Sequence, residues 1–159
     1  MAIASFQAGE AISAGDAVYT SFDSLIFKAS AFNATQATVV GIAIDSGSPG
    51  SLVRVNTDAI YTGYSGLTPG ELLYVSVSTS GQLVNYTNWF NELSNTTTDA
   101  YLTSVGRSVT TSGVGVEVSK PLYITNPVSN LLLESASAFV ADAILLEDGS
   151  RIDLEDASV

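Results

Sequence analysis

Carboxylates are the side chains in this sequence with the clearest capacity for catalysis, because the chain contains no histidine and no cysteine. The commonest general base and the thiolate nucleophile are therefore both missing. Paired carboxyl groups, as in glycoside hydrolysis, are the remaining option. The candidate pairs are Asp16 with Glu71 and Asp45 with Asp58. Asp16 and Glu71 each follow a turn glycine, where a carboxylate accepts backbone N–H groups of its own turn, so we predict no enzymatic activity.

A second acidic group lies near the C-terminus and could bind calcium, which prefers clustered oxygen ligands. It consists of Asp142, Glu147, Asp148 and Asp153. The spacing lacks the alternating acids, the glycine and the distal glutamate of an EF-hand loop. We interpret the group as a solvated acidic hairpin, and the sequence predicts neither a metal site nor a cofactor site.

An aromatic pair stands out in a polar insertion that spans Thr87–Ala100. Trp89 and Phe90 follow one another there, close to Tyr86, and they are expected to be exposed. Three interpretations remain open. The pair could pack over the end of a β lobe, fill a pocket in a subunit or partner interface, or stack on a sugar ring.

The elements that position these residues follow a pattern that occurs twice. A Gly-acid-x-apolar-Tyr segment, a Val-Gly strand and a strand with a charge between two valines return in the same order. The matched segments are Gly15–Tyr19 with Gly70–Tyr74, Val40–Ile44 with Val105–Val109, and Val53–Val55 with Val116–Val118. This order favours an internal duplication. Gly41 in the first Val-Gly step predicts a β-bulge or a close approach of two backbones.

The pattern of β-branched and aromatic residues between frequent turn signals predicts an all-β fold, a compact antiparallel sandwich or barrel. We expect a single β domain over residues 1–159. Its pseudo-repeated lobes span about 9–64 and 65–126, and a C-terminal extension spans 127–159. Ile3 and Phe6 lie on a predicted extended N-terminal arm. They join Tyr86, Trp89 and Phe90 as candidate interface residues.

The C-terminal extension contains a strong hairpin signal. The turn sequence Glu147–Ser150 includes an Asp-Gly step and separates apolar runs at Ala138–Leu146 and Arg151–Leu154. The segment Leu131–Leu146 also fits a helix, since Leu132, Ala136 and Phe139 would share one helical face, but the serine content and the hairpin favour strand.

Composition narrows the possible partners. The 159 residues include 16 acidic and 5 basic side chains, for a net charge of −11. Such a surface repels phosphate backbones and anionic lipid, so we expect neither nucleic acid nor a membrane as partner. Mean hydropathy is +0.32, high for a chain with no membrane-spanning run, and this favours an oligomer with apolar contacts. The N-terminus lacks a basic region, so we expect no signal peptide and folding in a cytoplasm.

The first lobe resembles the small head-decoration (cement) and head-fibre proteins of tailed bacteriophages. The resemblance rests on an A-G-D-A-V-Y strand at Ala14–Tyr19, a V-G-I-A strand at Val40–Ala43 and the strand Ser51–Val55. A further G-x-x-L-Y-V strand follows at Gly70–Val75. The resemblance extends over about residues 9–118, and residues 128–159 lie outside it.

The resemblance implies a homotrimer on the outer surface of the virion, made in the host cytoplasm. Its partner would be the major capsid protein, and it would stabilise the mature lattice by clamping neighbouring subunits. Ile3 and Phe6 would reach the capsid or a neighbouring protomer, and Trp89 and Phe90 would lie at the trimer axis or outer tip. The alternative function is a receptor- or carbohydrate-binding module of a phage fibre.

Overall fold

A computed structural model describes residues 3–127 and the backbone of two strands at residues 143–145 and 151–153. Over these residues the protein contains one short helix, α1 (Tyr86–Ser94), and is otherwise built of strands. The strands are β1 (Ile3–Ala8), β2 (Ala17–Thr20), β3 (Leu25–Lys28), β4 (Val39–Ala43), β5 (Leu52–Asn56), β6 (Ile60–Tyr61), β7 (Leu72–Val75), β8 (Leu83–Asn85), β9 (Ala100–Leu102), β10 (Ser104–Ser108), β11 (Val114–Val116), β12 (Leu122–Ile124), β13 (Ala143–Leu145) and β14 (Arg151–Asp153). The predicted all-β fold is confirmed.

The first five strands form a closed barrel in the order β1-β3-β2-β4-β5. The N-terminal strand β1 closes it, since it pairs antiparallel with β5 and parallel with β3. The prediction of an extended N-terminal arm is therefore wrong. Alternate residues of β1 face inward, so Phe6 and Ala8 pack on the barrel core while Gln7 stays exposed.

The second sheet has the order β6-β11-β10-β7-β8. Its strands β8-β7-β10-β11 pair in the same succession as β3-β2-β4-β5 of the barrel. The pairing of β2 with β4 skips Val40, and the pairing of β7 with β10 skips Val105. A Cβ atom on Gly41 would overlap the backbone of Asn56 in the neighbouring strand. The predicted bulge and close approach at Gly41 are both confirmed.

One of the matched sequence segments does not occupy the same register. Val55 of β5 lies opposite Ala43, two residues after Gly41. In the second sheet, the residue two positions after Gly106 is Ser108, and Val114 lies opposite it. The sequence match of Val53–Val55 with Val116–Val118 is therefore wrong, because the pairing aligns Val55 with Val114.

A buried cluster joins the barrel to the second sheet. It combines Ala17 and Ile42 from the barrel with side chains of the second sheet such as Leu73 and Val105. The turn between β7 and β8 adds a backbone link, because Gly81 N–H donates to Ala29 C=O and Gly81 C=O accepts from Ala17 N–H, both at 2.8 Å. The two sheets therefore share one continuous core.

The insertion between β8 and β9 folds as α1. Asn85 caps the helix, since its side-chain oxygen accepts the N–H of Asn88 at 2.9 Å. Trp89 and Leu93, one helical turn apart, are buried in a third cluster that includes Val84 and Ala100. Sequence analysis treated this segment as a polar insertion and did not predict the helix.

The C-terminal hairpin forms as predicted, with β13 and β14 pairing antiparallel. Its turn and the greater part of Leu131–Leu146 lie outside the described residues. The same applies to Asp142, Glu147 and Asp148 and to the side chain of Asp153, so the interpretation of this group as a solvated acidic hairpin stays a prediction. Over the described part of the chain, no helix has the length and apolar character needed to cross a membrane.

Candidate binding surfaces

Asp16 and Glu71 lie at the starts of strands β2 and β7, in different sheets. The Asp16 carboxylate accepts the backbone N–H of Ser13 at 2.8 Å, as predicted for a turn acid, and lies 3.9 Å from the Lys28 ammonium. Its structural partners are thus a turn amide and a cation. The backbone of Glu71 forms the corresponding turn, with its N–H donating to Thr68 C=O at 3.2 Å.

Asp45 is engaged by Arg54 of β5. Arg54 donates from Nε and Nη2 to the two carboxylate oxygens of Asp45, each at 2.7 Å, in a bidentate pair. Hydrogen bonding by Arg54 lowers the pKa of Asp45 below its ordinary value. Asp58 lies in the turn that follows β5. A carboxylate kept ionised by a guanidinium is suited to an ion pair rather than to proton transfer near neutral pH.

Other acids of the described chain serve as hydrogen-bond acceptors for the backbone. Glu92 of α1 accepts the N–H of Val77 and the hydroxyl of Ser76, both at 2.8 Å, and so attaches the helix to the turn after β7. Asp99 accepts the N–H of Asn126 at 2.7 Å, which lowers the pKa of Asp99. Residues 3–127 contain no cluster of three or more metal-ligating side chains.

The aromatic residues around α1 form a surface row, which we call the helix patch: Tyr74, Tyr86 and Phe90. Tyr86 is 54% exposed and Phe90 is 41% exposed. Their ring centroids lie 6.4 Å apart, and Tyr86 lies 6.1 Å from Tyr74. Trp89 is only 1% exposed, so the expectation of an exposed Trp89–Phe90 pair is wrong for Trp89. Helical geometry explains the difference, since adjacent helix residues face different directions.

The N-terminal candidates have separate environments. Ile3 is partly exposed on the outer face of β1 and lines a groove of about 390 Å³ together with Ile44 and Ile60. Phe6 points into the barrel and is half-buried against its core. Of these two candidates, only Ile3 therefore lies on the outer surface of the barrel.

The most exposed apolar side chains lie elsewhere, at one end of the barrel. Phe22 is 99% exposed in the turn between β2 and β3, and Leu52 of β5 is 74% exposed. Gln7 of β1 pairs with Leu52 on one side and with Leu25 on the other. The C=O of Leu25 accepts the N–H of Ser21 and so closes the turn that contains Phe22. Strands are about 4.8 Å apart, so Leu52 and Leu25 are separated by about 10 Å. We call Phe22, Leu25 and Leu52 the barrel-end patch.

Sequence analysis missed this patch. Its only signal was Phe22, a phenylalanine within the polar turn sequence Ser21–Ser24, and a lone turn aromatic does not distinguish exposure from packing. No protein-family model matches the chain, and a comparison with curated proteins finds no significant relative. The case for a function therefore rests on the chain's own residues.

Proposed function

We propose that the protein is a structural, non-enzymatic virion protein that binds the major capsid protein on the outer surface of a tailed-phage head. It stabilises the mature lattice as a homotrimeric cement protein. The observation that carries the proposal is the barrel-end patch, where Phe22 and Leu52 expose large apolar side chains on a rigid closed barrel. Exposed apolar side chains at one end of a domain are typical of protein–protein contact sites.

The engagement of the acids supports a non-enzymatic role. Asp16, Asp45, Glu92 and Asp99 each bind a backbone N–H, and Asp45 also binds a guanidinium. These contacts stabilise turns and helix attachment. At Asp45 and Asp99 these hydrogen bonds lower the pKa of the carboxyl group, which suits a structural acceptor better than a general acid.

The shared pairing order of the two sheets supports the proposed duplication. We infer that the barrel and the second sheet are two copies of one β unit, in which the Val-Gly bulge and the preceding Gly-acid turn are retained. The unit boundaries differ from the lobes 9–64 and 65–126, because β1 lies in the barrel and β6 pairs with β11 of the second sheet. Two similar units in one chain present two β surfaces for assembly.

The mechanism is mass action. A protein that binds the assembled lattice and not its free subunits stabilises the lattice by RT ln(1 + [L]/Kd), about 2.7 kcal/mol at a concentration of 100 Kd. Three copies in a trimer act together, since binding of one brings the others to high local concentration. The net charge of −11 favours a capsid surface with basic side chains.

The helix patch favours a second candidate function, a receptor- or carbohydrate-binding module. Tyr86 and Phe90 lie side by side at the surface, and exposed aromatic rings stack on the apolar faces of sugars. On this hypothesis Trp89 supports the patch from below, because it is buried under α1.

Mass photometry of the purified chain, alone and with mature capsids, tests both candidates. We expect a trimer in solution that binds capsids, and we expect the double variant Phe22→Ser/Leu52→Ser to weaken that binding at least about tenfold, or 1.4 kcal/mol. The matched control is Val109→Ser, which replaces an exposed apolar residue in the turn after β10, away from the barrel end. Monomeric protein without affinity for capsids contradicts the proposal. Glycan binding that is lost in Tyr86→Ala/Phe90→Ala favours the second candidate.

A further inference from the structure

The barrel is closed and the second sheet is not, and the barrel shows which element closes the gap between its edge strands. In the barrel, β1 fills the space between β5 and β3. Gln7 and Ala8 pair with Leu25 and Ile26, and the next amide, Gly9 N–H, donates to Ile26 C=O at 2.9 Å. A strand is therefore the natural occupant of this position.

In the second sheet, β6 takes the place of β1 but stops early. Ile60 and Tyr61 pair with Gly115 and Val114, as Ile3 and Ala4 pair with Asn56 and Val55 in the barrel. β6 ends after these two residues. Within the described chain, β8 consequently has β7 as its only strand neighbour. We call the gap between residues 64–68 and β8 the open seam.

The register identifies the edge groups at the open seam. Leu83 pairs with Val75 as Ile26 pairs with Thr20, so Leu83 occupies the position of Ile26. Backbone groups of antiparallel strands alternate between the two sides. The C=O of Ile26 faces β1, as its bond to Gly9 shows. The N–H and C=O of Leu83 therefore face the open seam, where an added strand would pair with them.

The lining of the open seam indicates the chemistry of its occupant. The seam forms a groove of about 250 Å³ with Leu67, Leu73 and Leu83 as apolar lining and Glu71 as its one ionisable lining residue. Glu71 forms no ion pair with any described residue. A strand added to β8 would bring apolar side chains against the leucines, and a basic side chain that enters the same groove would lie beside Glu71.

We propose that the open seam binds an extended segment of a partner protein, which adds as a strand to β8 and carries lysine or arginine beside Glu71. Strand addition at an exposed sheet edge is a general mode of peptide recognition, in which main-chain bonds supply affinity and alternate side chains supply specificity. The net charge of −11 favours a basic partner at this edge. The proposal goes beyond capsid binding and does not depend on it.

Amide NMR of the full-length chain tests the proposal with three five-residue probe peptides. The first alternates valine and lysine, the second replaces lysine with glutamate, and the third is the lysine peptide with N-methylated backbone amides. We expect the lysine peptide to shift the amide signals of Leu83 and Asn85 in a saturable manner. The glutamate peptide should bind at least about fivefold more weakly, Glu71→Gln should reduce this difference, and the N-methylated peptide should not bind.

Two variants at the edge isolate the main-chain contribution. Leu83→Pro removes the seam-facing N–H and leaves the β7 ladder intact, because proline is tolerated where an edge N–H faces outward. It should abolish peptide binding, whereas Leu83→Val, which keeps the N–H, should retain it. If Leu83→Pro fails to fold, the N-methylated peptide makes the same comparison on the unaltered protein.

Three results would overturn the proposal. One is the absence of shifts at Leu83 and Asn85 with the lysine peptide at millimolar concentration. Another is equal binding of the lysine and N-methylated peptides. The third is slow hydrogen exchange of the Leu83 amide in the peptide-free protein, which would show that the seam is already filled. Exchange that is independent of protein concentration would identify a segment of the same chain as the occupant, and concentration-dependent exchange would identify a second copy.

Discussion

The link between the two sheets at Gly81 leads to a quantitative prediction for Gly81→Ala. Gly81 has a φ of +80°, in the left-handed region that disfavours residues with a Cβ. A Cβ at this position would lie 3.0 Å from Oδ1 and 3.2 Å from Cβ of Asp16. Alanine would therefore strain the backbone and press on the Asp16 carboxylate, which accepts Ser13 N–H and faces Lys28.

The expected loss of stability has two parts. Left-handed backbone for a residue with a Cβ costs about 1–2 kcal/mol. Displacement of Asp16 from its hydrogen bond with Ser13 costs about 0.5–1.5 kcal/mol. The sum is about 1.5–3.5 kcal/mol, which corresponds to a fall in Tm of about 3–14 °C for a chain of this size.

Gly70→Ala is the matched control, because Gly70 has a φ of +90° and no neighbouring atom within 4 Å of a built Cβ. It should lose only the backbone part. The measurement is thermal and urea unfolding of Gly81→Ala, Gly70→Ala and Gly81→Ala/Asp16→Ala. Measured against Asp16→Ala alone, the alanine of the double variant no longer meets the carboxylate, so its effect should approach that of the control. Equal losses in Gly81→Ala and Gly70→Ala, with no coupling to Asp16, would refute the argument that a Cβ at position 81 presses on the Asp16 carboxylate.

Three further predictions concern single side chains. Arg54→Gln should return the pKa of Asp45 toward its ordinary value of 3.8, as measured by carboxyl NMR, because the guanidinium hydrogen bonds that lower it are lost. Burial, with smaller contributions from neighbouring groups, raises the pKa of Tyr64 above its ordinary value of 10.0. The stability that this phenol contributes should therefore be present below pH 10 and fall above it. Tyr64→Phe should flatten that fall in urea unfolding curves. Asn126→Ala should lower the free energy of unfolding by about 2–4 kcal/mol, since the buried amide donates to three backbone carbonyls around the end of α1.

The strands were predictable from sequence because their signals are local. Val53–Val55, predicted as a strand with a charge between two valines, lies within β5. The Val-Gly step at Gly41 indicated a bulge because only glycine allows two backbones to approach that closely, and a Cβ there would overlap Asn56. The Asp-Gly turn signal after Leu146 similarly indicated the pairing of β13 with β14.

The helix and the burial of Trp89 were not predicted, although local signals were present. Asn85 is a preferred N-cap residue, and Trp89 and Leu93 have the four-residue spacing of one helix face. The high content of asparagine and threonine concealed these signals, because those residues also favour turns. Which ring is buried depends on the position of Val84 and Ala100, which are not adjacent to Trp89 in sequence.

The barrel closes whereas the second sheet stays open, and this difference also depends on contacts that sequence patterns do not contain. The fourth position of β1 is Phe6, which packs on the barrel core, whereas the corresponding position after β6 is Gly63. A Cβ on Gly63 would overlap the ring of Tyr61, so glycine there leaves room for that ring. The next residue, Tyr64, donates its hydroxyl hydrogen to the C=O of Gly15 at 2.6 Å and thereby attaches the chain to the end of the barrel. The segment after β6 thus joins the second sheet to the barrel, and the open seam beside β8 follows from that diversion.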